Sequence, residues 1–310
     1  MRGLRPAAFL LLLANPGWAA MFSSTAKGTT AAGFLKLGAG ARAIALGEAY
    51  SAMADEASAL YWNPAALTRI HRHSATFMHA AYIDSSFFDY GAYALRLSEA
   101  GVLGTGFQYL SAGSLAGTDD AGTDIGYFRP NDLAVTLGYA RRIESLDGLS
   151  FGLNAKLIQS QIINTARTGA VDLGALSPPL LRERLRLAFT VVNLGGKMRF
   201  EREAENLPLA MRVGGSYRIR EAWSAALDVG LPRDNDPYVA LGTEYLLPVT
   251  GVMKLAGRAG FNSRSIGDLD GFSAFSFGIG FMERVLALDY AIVPVGSLGL
   301  AHRVSVSCKF

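Results

Sequence analysis

The segment LAHRVSVSCKF, residues 300–310, alternates between apolar and polar side chains along its whole length. One set of alternate positions is Leu300, His302, Val304, Val306, Cys308 and Phe310, and the other is Ala301, Arg303, Ser305, Ser307 and Lys309. Only His302 interrupts the apolar set. A repeat of two residues is that of a β-strand, and one apolar face opposite one polar face is typical of a strand between lipid and a polar lumen. The segment therefore predicts a membrane-spanning strand.

The same alternation recurs along most of the chain, for example in residues 184–191, 223–231 and 275–281. The predicted strands begin near Ser74, Phe87, Val102, Asn131, Leu149, Arg167, Arg184, Pro208, Ala222, Tyr238, Val252, Gly271, Val285 and Leu300. A soluble β-sandwich also alternates. The number of segments, their spacing of roughly 15 to 20 residues and the aromatic residue at position 310 favour a membrane barrel instead. We predict an all-β protein, a transmembrane antiparallel β-barrel of about 14 strands.

The connections between the predicted strands provide an independent check, because bacterial barrels alternate short periplasmic turns with longer external loops. The long connections are residues 111–130, 195–207, 262–270 and 294–299, and the brief ones lie near Glu99, Glu144, Arg220 and Glu283. With both ends of the barrel in the periplasm, the long ones all face outward and the brief ones inward. The link over residues 177–183, with Pro178-Pro179, is longer than this pattern predicts.

The start of the chain has the pattern of a cleaved signal peptide, with a positively charged end, an apolar run and the small-residue site Gly17-Trp18-Ala19. Half of all residues are apolar, yet no later stretch approaches the roughly 20 apolar residues of a membrane helix. An exported apolar chain of this kind indicates a barrel in lipid, in the bacterial outer membrane. We expect Phe310 to serve as the C-terminal signal for the barrel-assembly machinery.

Other classes of protein are disfavoured. The net charge of +3 is too small to indicate a nucleic-acid partner, and Cys308 is the single cysteine, so disulfides do not hold this fold. None of the four histidines has a serine and an acidic residue placed beside it by strand register, which argues against an enzyme. No phosphate-binding glycine loop and no Cys or His cluster is present, so we expect no cofactor and no metal.

Before the first strand lies GFLKLGAGARAIALGEAYSAMADEASALYWNPAAL, residues 33–67. It is rich in Ala and Gly with isolated charges, so it suits neither a self-supporting helix nor a membrane span. Pro64 keeps Asn63 out of the helical region, which predicts a turn through Ala65 to Leu67 just before the first strand. We interpret the segment as a plug that enters the barrel or caps its periplasmic mouth. The predicted parts are a signal peptide, residues 1–19, a plug or hatch, residues 20–73, and the barrel, residues 74–310.

The inward-facing positions of four neighbouring strands carry opposite charges. They are Arg212 and Arg218 on the eighth predicted strand, Asp228 on the ninth, Glu244 on the tenth, and Lys254 and Arg258 on the eleventh, with Asp289 further along. Opposite charges on neighbouring strands pair, and unpaired charges in a narrow lumen would be costly. These residues predict a structural ion-pair network that seats the plug, with an ion-selectivity or substrate site as the alternative.

The plug has charges of its own at Arg42, Glu48, Asp55 and Glu56. Two of them, Asp55 and Glu56, lie side by side just ahead of Ser58. They either dock on the basic side of the lumen network or lie in an exposed turn.

The ordered motifs of the plug resemble a known family. They are Gly40-Ala41-Arg42-Ala43, LGEAYS at residues 46–51, ADEAS at 54–58, Tyr61-Trp62 and NPAAL at 63–67. This order resembles the amino-terminal hatch of the outer-membrane long-chain fatty-acid transporter (FadL) family, and more closely its PorV/PorQ branch. The resemblance continues in VNLG at residues 192–195, GTEY at 242–245, LDYA at 288–291 and HRVS at 302–305.

The resemblance implies two functions of different kinds. The first is a PorV-like role in protein secretion, in which the barrel binds exported cargo or a secretion complex of the type IX kind at the outer membrane. The alternative is FadL-like passive transport, in which a hydrophobic small molecule enters from outside and the hatch around the Asn63-Pro64-Ala65 turn shifts to let it pass.

Overall fold

The computed structural model describes residues 26–82, 85–118, 122–200, 203–266, 271–294, 296 and 299–310, and the predicted signal peptide lies outside them. In chain order the strands are β1 (His73–Ala81), β2 (Phe87–Arg96), β3 (Val102–Ser111), β4 (Leu115–Thr118), β5 (Asp124–Phe128), β6 (Asn131–Ile143), β7 (Leu149–Gln161), β8 (Thr165–Leu176), β9 (Leu185–Gly195), β10 (Lys197–Phe200), β11 (Glu203–Asn206), β12 (Ala210–Arg220), β13 (Trp223–Pro232), β14 (Tyr238–Pro248), β15 (Met253–Asn262), β16 (Phe275–Glu283), β17 (Leu286–Pro294) and β18 (Leu300–Lys309).

Within the described residues, fourteen of these strands form a closed antiparallel barrel in which β18 pairs with β1. The predicted fold class is therefore confirmed. All but one of the barrel strands begin within two residues of the predicted starts. The exception is β16, which begins at Phe275 because residues 271–274 form a 3-10 turn. The remaining strands form two hairpins in the long loops, β4–β5 and β10–β11, which the sequence reasoning missed.

Along each strand, successive side chains face the lipid and the lumen in turn. In β18, Val304 and Val306 are exposed on the outer wall, whereas Arg303, Ser305 and Ser307 are buried inside. Apolar side chains face outward because lipid surrounds the wall, and small or polar residues face inward. No helix among the described residues is long and apolar enough to span a membrane.

The two ends of the barrel differ in their connections. At the end where β1 begins and β18 stops, the connections are 97–101, 144–148, 177–184, 221–222, 249–252 and 284–285. We call this the short-turn end, and the opposite end, which carries both hairpins, the long-loop end. The longest connection of the short-turn end, 177–184, contains three residues with positive φ, Leu181, Arg182 and Glu183. By the rule for bacterial barrels, the short-turn end faces the periplasm.

The plug lies inside the barrel and does not merely cap it. It consists of a 3-10 helix (Gly33–Lys36), α1 (Ala41–Ala45), α2 (Ala59–Trp62) and a second 3-10 helix (Pro64–Arg69). Its backbone is bonded to opposite sides of the wall. The contacts are the Ala41 amide with the Ser305 hydroxyl of β18, the Ser51 amide with Asp228 of β13, and the Leu60 carbonyl with Asn154 of β7. Trp62 at its centre is fully buried.

Candidate functional site

The barrel wall is built from glycine where the plug backbone touches it. A Cβ atom on Gly260 would collide with the amide nitrogen of Gly47 in the plug, and one on Gly242 would lie 2.5 Å from the carbonyl oxygen of Leu46. On the same strand as Gly260, the lipid-facing Gly257 has open space in front of its Cβ position. On β15 a side chain is thus excluded at the inner Gly260 and not at the outer Gly257, and the plug backbone lies directly against β14 and β15.

The predicted Asn-Pro turn joins the plug to the wall. Asn63 has an extended backbone, as Pro64 requires, and its Oδ1 accepts a hydrogen bond from the Ala65 amide at 3.0 Å. Its Nδ2 donates to the Ser51 carbonyl in the plug at 3.1 Å and to the Ala175 carbonyl of β8 at 3.2 Å. The rest of the turn is buried as well, including Pro64, Ala65 and Leu67. One side chain therefore links two parts of the plug to the barrel.

We expect replacement of Asn63 by alanine to loosen the plug while the barrel stays folded. The change removes the bonds to Ser51 and Ala175 and the cap of the Pro64–Arg69 helix, at a cost of about 1–3 kcal/mol. Two tryptophans separate the readouts, because Trp62 lies buried in the plug whereas Trp223 is 41 % exposed on the outer wall. Urea titration of single-tryptophan variants should show the Trp62 transition moving to lower urea and the Trp223 transition unchanged.

The matched control is Asn131→Ala, at a position where the amide donates to the carbonyl of Arg129 in an exposed part of the long-loop end. It should leave both transitions in place. If Asn63→Ala also leaves the Trp62 transition and the leakage of small dyes from liposomes unchanged, the turn is not a hatch.

An ion-pair series runs from the plug across the wall. Arg42 pairs with Asp55 at 2.7 Å within the plug and with Glu244 of β14 at 2.8 Å. Glu244 also accepts from Arg258 of β15 at 2.7 Å, and Arg258 pairs with Asp289 of β17 at 2.6 Å. The wall members are almost fully buried. Because each charge has an opposite partner, the series can exist inside the lumen, and removal of one member would leave a buried charge unpaired.

The other plug charges are also engaged. Asp55 pairs with Lys309 at the end of β18 at 3.0 Å. Burial alone would raise the pKa of Asp55, but the positive charges of Arg42, Lys309 and Arg69 outweigh it and hold this pKa well below its usual range. Glu48 accepts from Arg264 in the loop after β15 at 2.9 Å.

Glu56 is buried and accepts a hydrogen bond from the Ser58 hydroxyl at 3.0 Å. It does not lie in an exposed turn, which was one of the two alternatives for this position.

The structure places four of the predicted network residues outside the ion-pair series. Asp228 accepts from the Ser51 amide at 3.0 Å, and Arg212 lies over the rings of Tyr61 and Trp62. The reason is register, since Arg212 is paired with Gly230 of β13, not with Asp228. The other two, Arg218 and Lys254, occupy inward positions at the short-turn end and are exposed.

Sequence reasoning missed a second polar cluster. Lys156 of β7 pairs with Asp172 of β8 at 2.8 Å and donates to Asn193 of β9 at 2.9 Å. Asp172 also accepts from Asn154 at 3.0 Å. The lone acidic residue between Val171 and Leu173 in an alternating segment was the available signal. The partners of Val171 and Leu173 on β9 are Leu194 and Val191, so β9 has one extra residue here and alternation does not predict the face of Asn193.

The first part of the plug is tied to the loop between β13 and β14. Asp234 accepts from Lys36 at 2.8 Å and from the hydroxyl of Thr30. Burial by itself would raise the pKa of Asp234, but the hydrogen bonds from Lys36 and Thr30 and the Lys36 charge outweigh it and lower this pKa below its usual range. The carboxylate is therefore stabilised in its ionised form when the tie is made.

This tie is expected to weaken in acid. A carboxyl group with a lowered pKa in the folded state stabilises that state above its unfolded pKa, about 3.9, and loses the contribution as the pH falls through the folded value. A spin label on Thr29→Cys, in a Cys308→Ser background, should be immobile from neutral pH down to about pH 4 and should become mobile only as the pH falls further, through the lowered pKa of Asp234. With Asp234→Asn the label should be mobile throughout. Equal mobility of the two proteins at neutral pH would refute the tie.

The end of β18 contacts the start of β1. His73 and Phe310 exchange backbone hydrogen bonds of 2.8 and 3.1 Å, and their rings stack with centroids 5.0 Å apart. The Phe310 side chain is 57 % exposed. Its recognition by the barrel-assembly machinery stays a prediction.

A cavity of about 290 Å³ lies between the plug and the wall at the long-loop end. We call it the outer pocket. Apolar residues form much of its lining, among them Leu35, Leu37, Val192, Pro208 and Pro232. Arg212 also lines it, and although this residue is only 6 % exposed, its Nε and Nη1 atoms have no hydrogen-bond partner among the described residues. The outer pocket therefore has a partly apolar lining and one arginine, Arg212, with two nitrogen atoms that lack a partner among the described residues.

Several solved structures share this fold. The Pseudomonas putida toluene transporter TodX is 13% identical, with a TM-score of 0.58, over 88% of this chain and 99% of that one. The CymD monoaromatic hydrocarbon channel is 11% identical, with a TM-score of 0.58, over 88% and 98%. A Pseudomonas aeruginosa FadL homologue is 10% identical, with a TM-score of 0.55, over 84% and 96%. At these identities the likeness shows the fold alone.

Sequence comparison gives one match to a family model. Among curated proteins none matches this chain. Residues 23–175, which contain the whole plug and strands β1 to β7, match the family model described as "Type IX secretion system protein PorV". Over residues 23–175 the chain is thus similar to the PorV family, and its fold is the outer-membrane β-barrel seen in the FadL homologue.

Proposed function

We propose that this protein is a sealed outer-membrane barrel that binds exported protein at its long-loop end, in a secretion route of the type IX kind. The observation that carries the proposal is the filled lumen, in which plug backbone lies against glycine of the wall at Gly242 and Gly260. A barrel without an open path acts through its surfaces. The PorV family match supports the same role, and the proposal includes no catalytic step.

The long-loop end offers a surface for such binding. The β4–β5 hairpin exposes Tyr127 to 77 %, the turn between β7 and β8 exposes Ile163 to 78 %, and the loop before β16 exposes Phe272 to 77 %. These side chains lie on loops and not on the lipid-facing strands. Exposed large apolar residues outside the lipid zone are typical of protein-binding sites, where aromatic residues contribute most of the affinity.

The test is to isolate the barrel gently from native membranes and quantify the proteins that travel with it by mass spectrometry. The double variant Tyr127→Ser with Ile163→Ser should lose most of the co-purified exported protein, because removal of interface anchors costs about 2 kcal/mol or more each. Thr118→Ala, an exposed position on the same hairpin as Tyr127, is the control and should keep it. Equal recovery of exported protein with the double variant and with wild type would refute this surface.

Passive transport of a hydrophobic small molecule is the second candidate, and the outer pocket is the observation that favours it. At about 290 Å³ the pocket is at the lower limit of ligand sites, which hold roughly 300–1,000 Å³, so it fits one small molecule. A lipid-like compound co-purifying in a one-to-one ratio, and lost with Arg212→Met, would support transport over secretion. The plug would then have to shift for the compound to pass.

A further inference from the structure

The short-turn end opens into a cavity of about 670 Å³ between the plug and the rim of the barrel. Its lining includes six cationic side chains, two histidines and a single acidic side chain, that of Asp55. The cations are Arg69, Arg72, Arg96, Arg142, Arg186 and Lys309. We call this cavity the basic mouth. Its cations come from the plug and from β2, β6, β9 and β18, so they lie along the arc of the rim that runs from β18 through β1 to β9.

Two of these cations are bonded to neutral groups. Arg69 donates to the carbonyl oxygens of Met53 and Ala54, each at 2.8 Å, and so anchors the underside of the plug. Arg96 donates to the carbonyl oxygen of Ile70 at 2.7 Å. A carbonyl oxygen satisfies the N–H group but carries no full negative charge, so both guanidinium groups keep their positive field in the cavity.

Acidic side chains balance only two of the remaining four. Lys309 pairs with Asp55, and Arg142 pairs with Glu144 on the exposed rim. The other two cations form no ion pair with any acidic side chain of the described residues. These two are Arg72 and Arg186. The basic mouth therefore has a clear excess of positive charge.

The excess of positive charge is concentrated at the short-turn end of the barrel. The whole chain has a net charge of only +3, yet further cations, Arg218 and Lys254, occupy inward positions of the same end. Next to the basic mouth, a smaller cavity is lined by four arginines and one glutamate, namely Arg182, Arg184, Arg218, Arg220 and Glu221. Charge of one sign in a recessed opening focuses the field and attracts a partner of the opposite sign.

We propose that the basic mouth binds an acidic polypeptide segment from the periplasm. Its place argues against lipid, because it lies between the plug and the inner rim, whereas lipid contacts the outer wall. Its size and the spread of its cations argue against a single small anion, since the charges face the opening from several strands. A chain that carries carboxylates at intervals satisfies several of them at once. This inference does not depend on what binds at the long-loop end.

The test uses the full-length barrel in nanodiscs of zwitterionic lipid and a labelled polyglutamate peptide, followed by fluorescence anisotropy. The peptide should bind wild type and dissociate at high salt. Arg72→Glu with Arg186→Glu should weaken binding by about tenfold or more. Lys197→Glu with Arg199→Glu changes the charge by the same amount on the exposed face of β10, at the long-loop end, and should bind like wild type.

Folding of each variant is checked by the mobility of unheated samples on denaturing gels. If the substitution of Arg186, which is half-buried, prevents folding, Arg72→Glu with Arg142→Glu replaces it, since both of these side chains are exposed. Unchanged affinity in the variants of the mouth, or an equal loss in the β10 variant, would overturn the proposal. So would displacement of the peptide by phosphatidylglycerol vesicles or by inorganic phosphate at equal charge concentration.

Discussion

Replacing Arg258 with methionine is expected to destabilise the protein by about 3–5 kcal/mol, the largest loss among the single changes considered for this chain. Arg258 is the junction of the ion-pair series, with Glu244 on one side and Asp289 on the other. Glu244 keeps Arg42 as a partner after the change, but Asp289 loses its one ion pair among the described residues while it remains buried. The measurement is equilibrium unfolding in urea, read separately from Trp62 and Trp223.

Arg142→Met is the matched control. Arg142 also lies on a barrel strand and pairs with an acid, Glu144, but both side chains are more than half exposed. An exposed pair of this kind contributes about 0–1 kcal/mol, so the control should unfold almost like wild type.

The double variant Arg258→Met with Asp289→Leu should recover most of the lost stability, because apolar residues of similar volume often replace a buried pair without loss. If Arg258→Met and Arg142→Met destabilise equally, or the double variant is no better than the single one, the series is not what seats the plug.

Replacing Gly260 with valine is expected to unseat the plug and make the barrel leak. Valine would push a Cβ and two methyl groups into the backbone at Leu46 and Gly47, and a backbone cannot turn aside as a flexible side chain can. Overpacking of this kind costs about 1–3 kcal/mol. A loss of one or two kcal/mol raises the unseated fraction by a factor of about 5 to 30. Ion conductance in planar bilayers and dye efflux from liposomes should rise accordingly.

Gly257→Val tests whether the effect belongs to the plug. Gly257 lies on β15 three residues earlier, faces lipid, and has nothing within 4 Å of its Cβ position. This variant makes the same chemical change on the same strand and should conduct like wild type. Equal conductance in the Gly260 and Gly257 variants would show that plug seating does not control permeability.

The fold was predictable because lipid imposes a simple rule on every strand. Apolar residues such as Val304 and Val306 must face outward, so a period of two residues is visible without any knowledge of tertiary contacts. The position of the Asn63 turn was predictable for a similar reason, since Pro64 restricts its neighbour locally. Strand order also placed Glu244 beside Arg258 correctly, because neighbours in the sequence are neighbours in the barrel.

The partners across the lumen were not predictable in the same way. Arg42 pairs with Glu244, and Arg212 lies over Trp62 and not against Asp228. These contacts depend on the height of each residue along the barrel axis and on the path of the plug. Alternation gives the face of a residue but not its height. The close contact at the inner-wall glycines was not predictable either, because alternation places Gly260 inside but does not show that the plug backbone lies against it.

The position of the plug also constrains the order in which the molecule can form. The plug precedes every strand in the chain, yet its contacts extend to Ser305 and Lys309 of β18, the last strand in sequence. Its binding surface is therefore complete only when β18 has closed on β1, and these contacts are among the most distant in sequence that the chain makes. Contacts of such long separation form late. The plug is therefore the first part of the described chain in sequence, and we expect it to be the last part to complete its contacts.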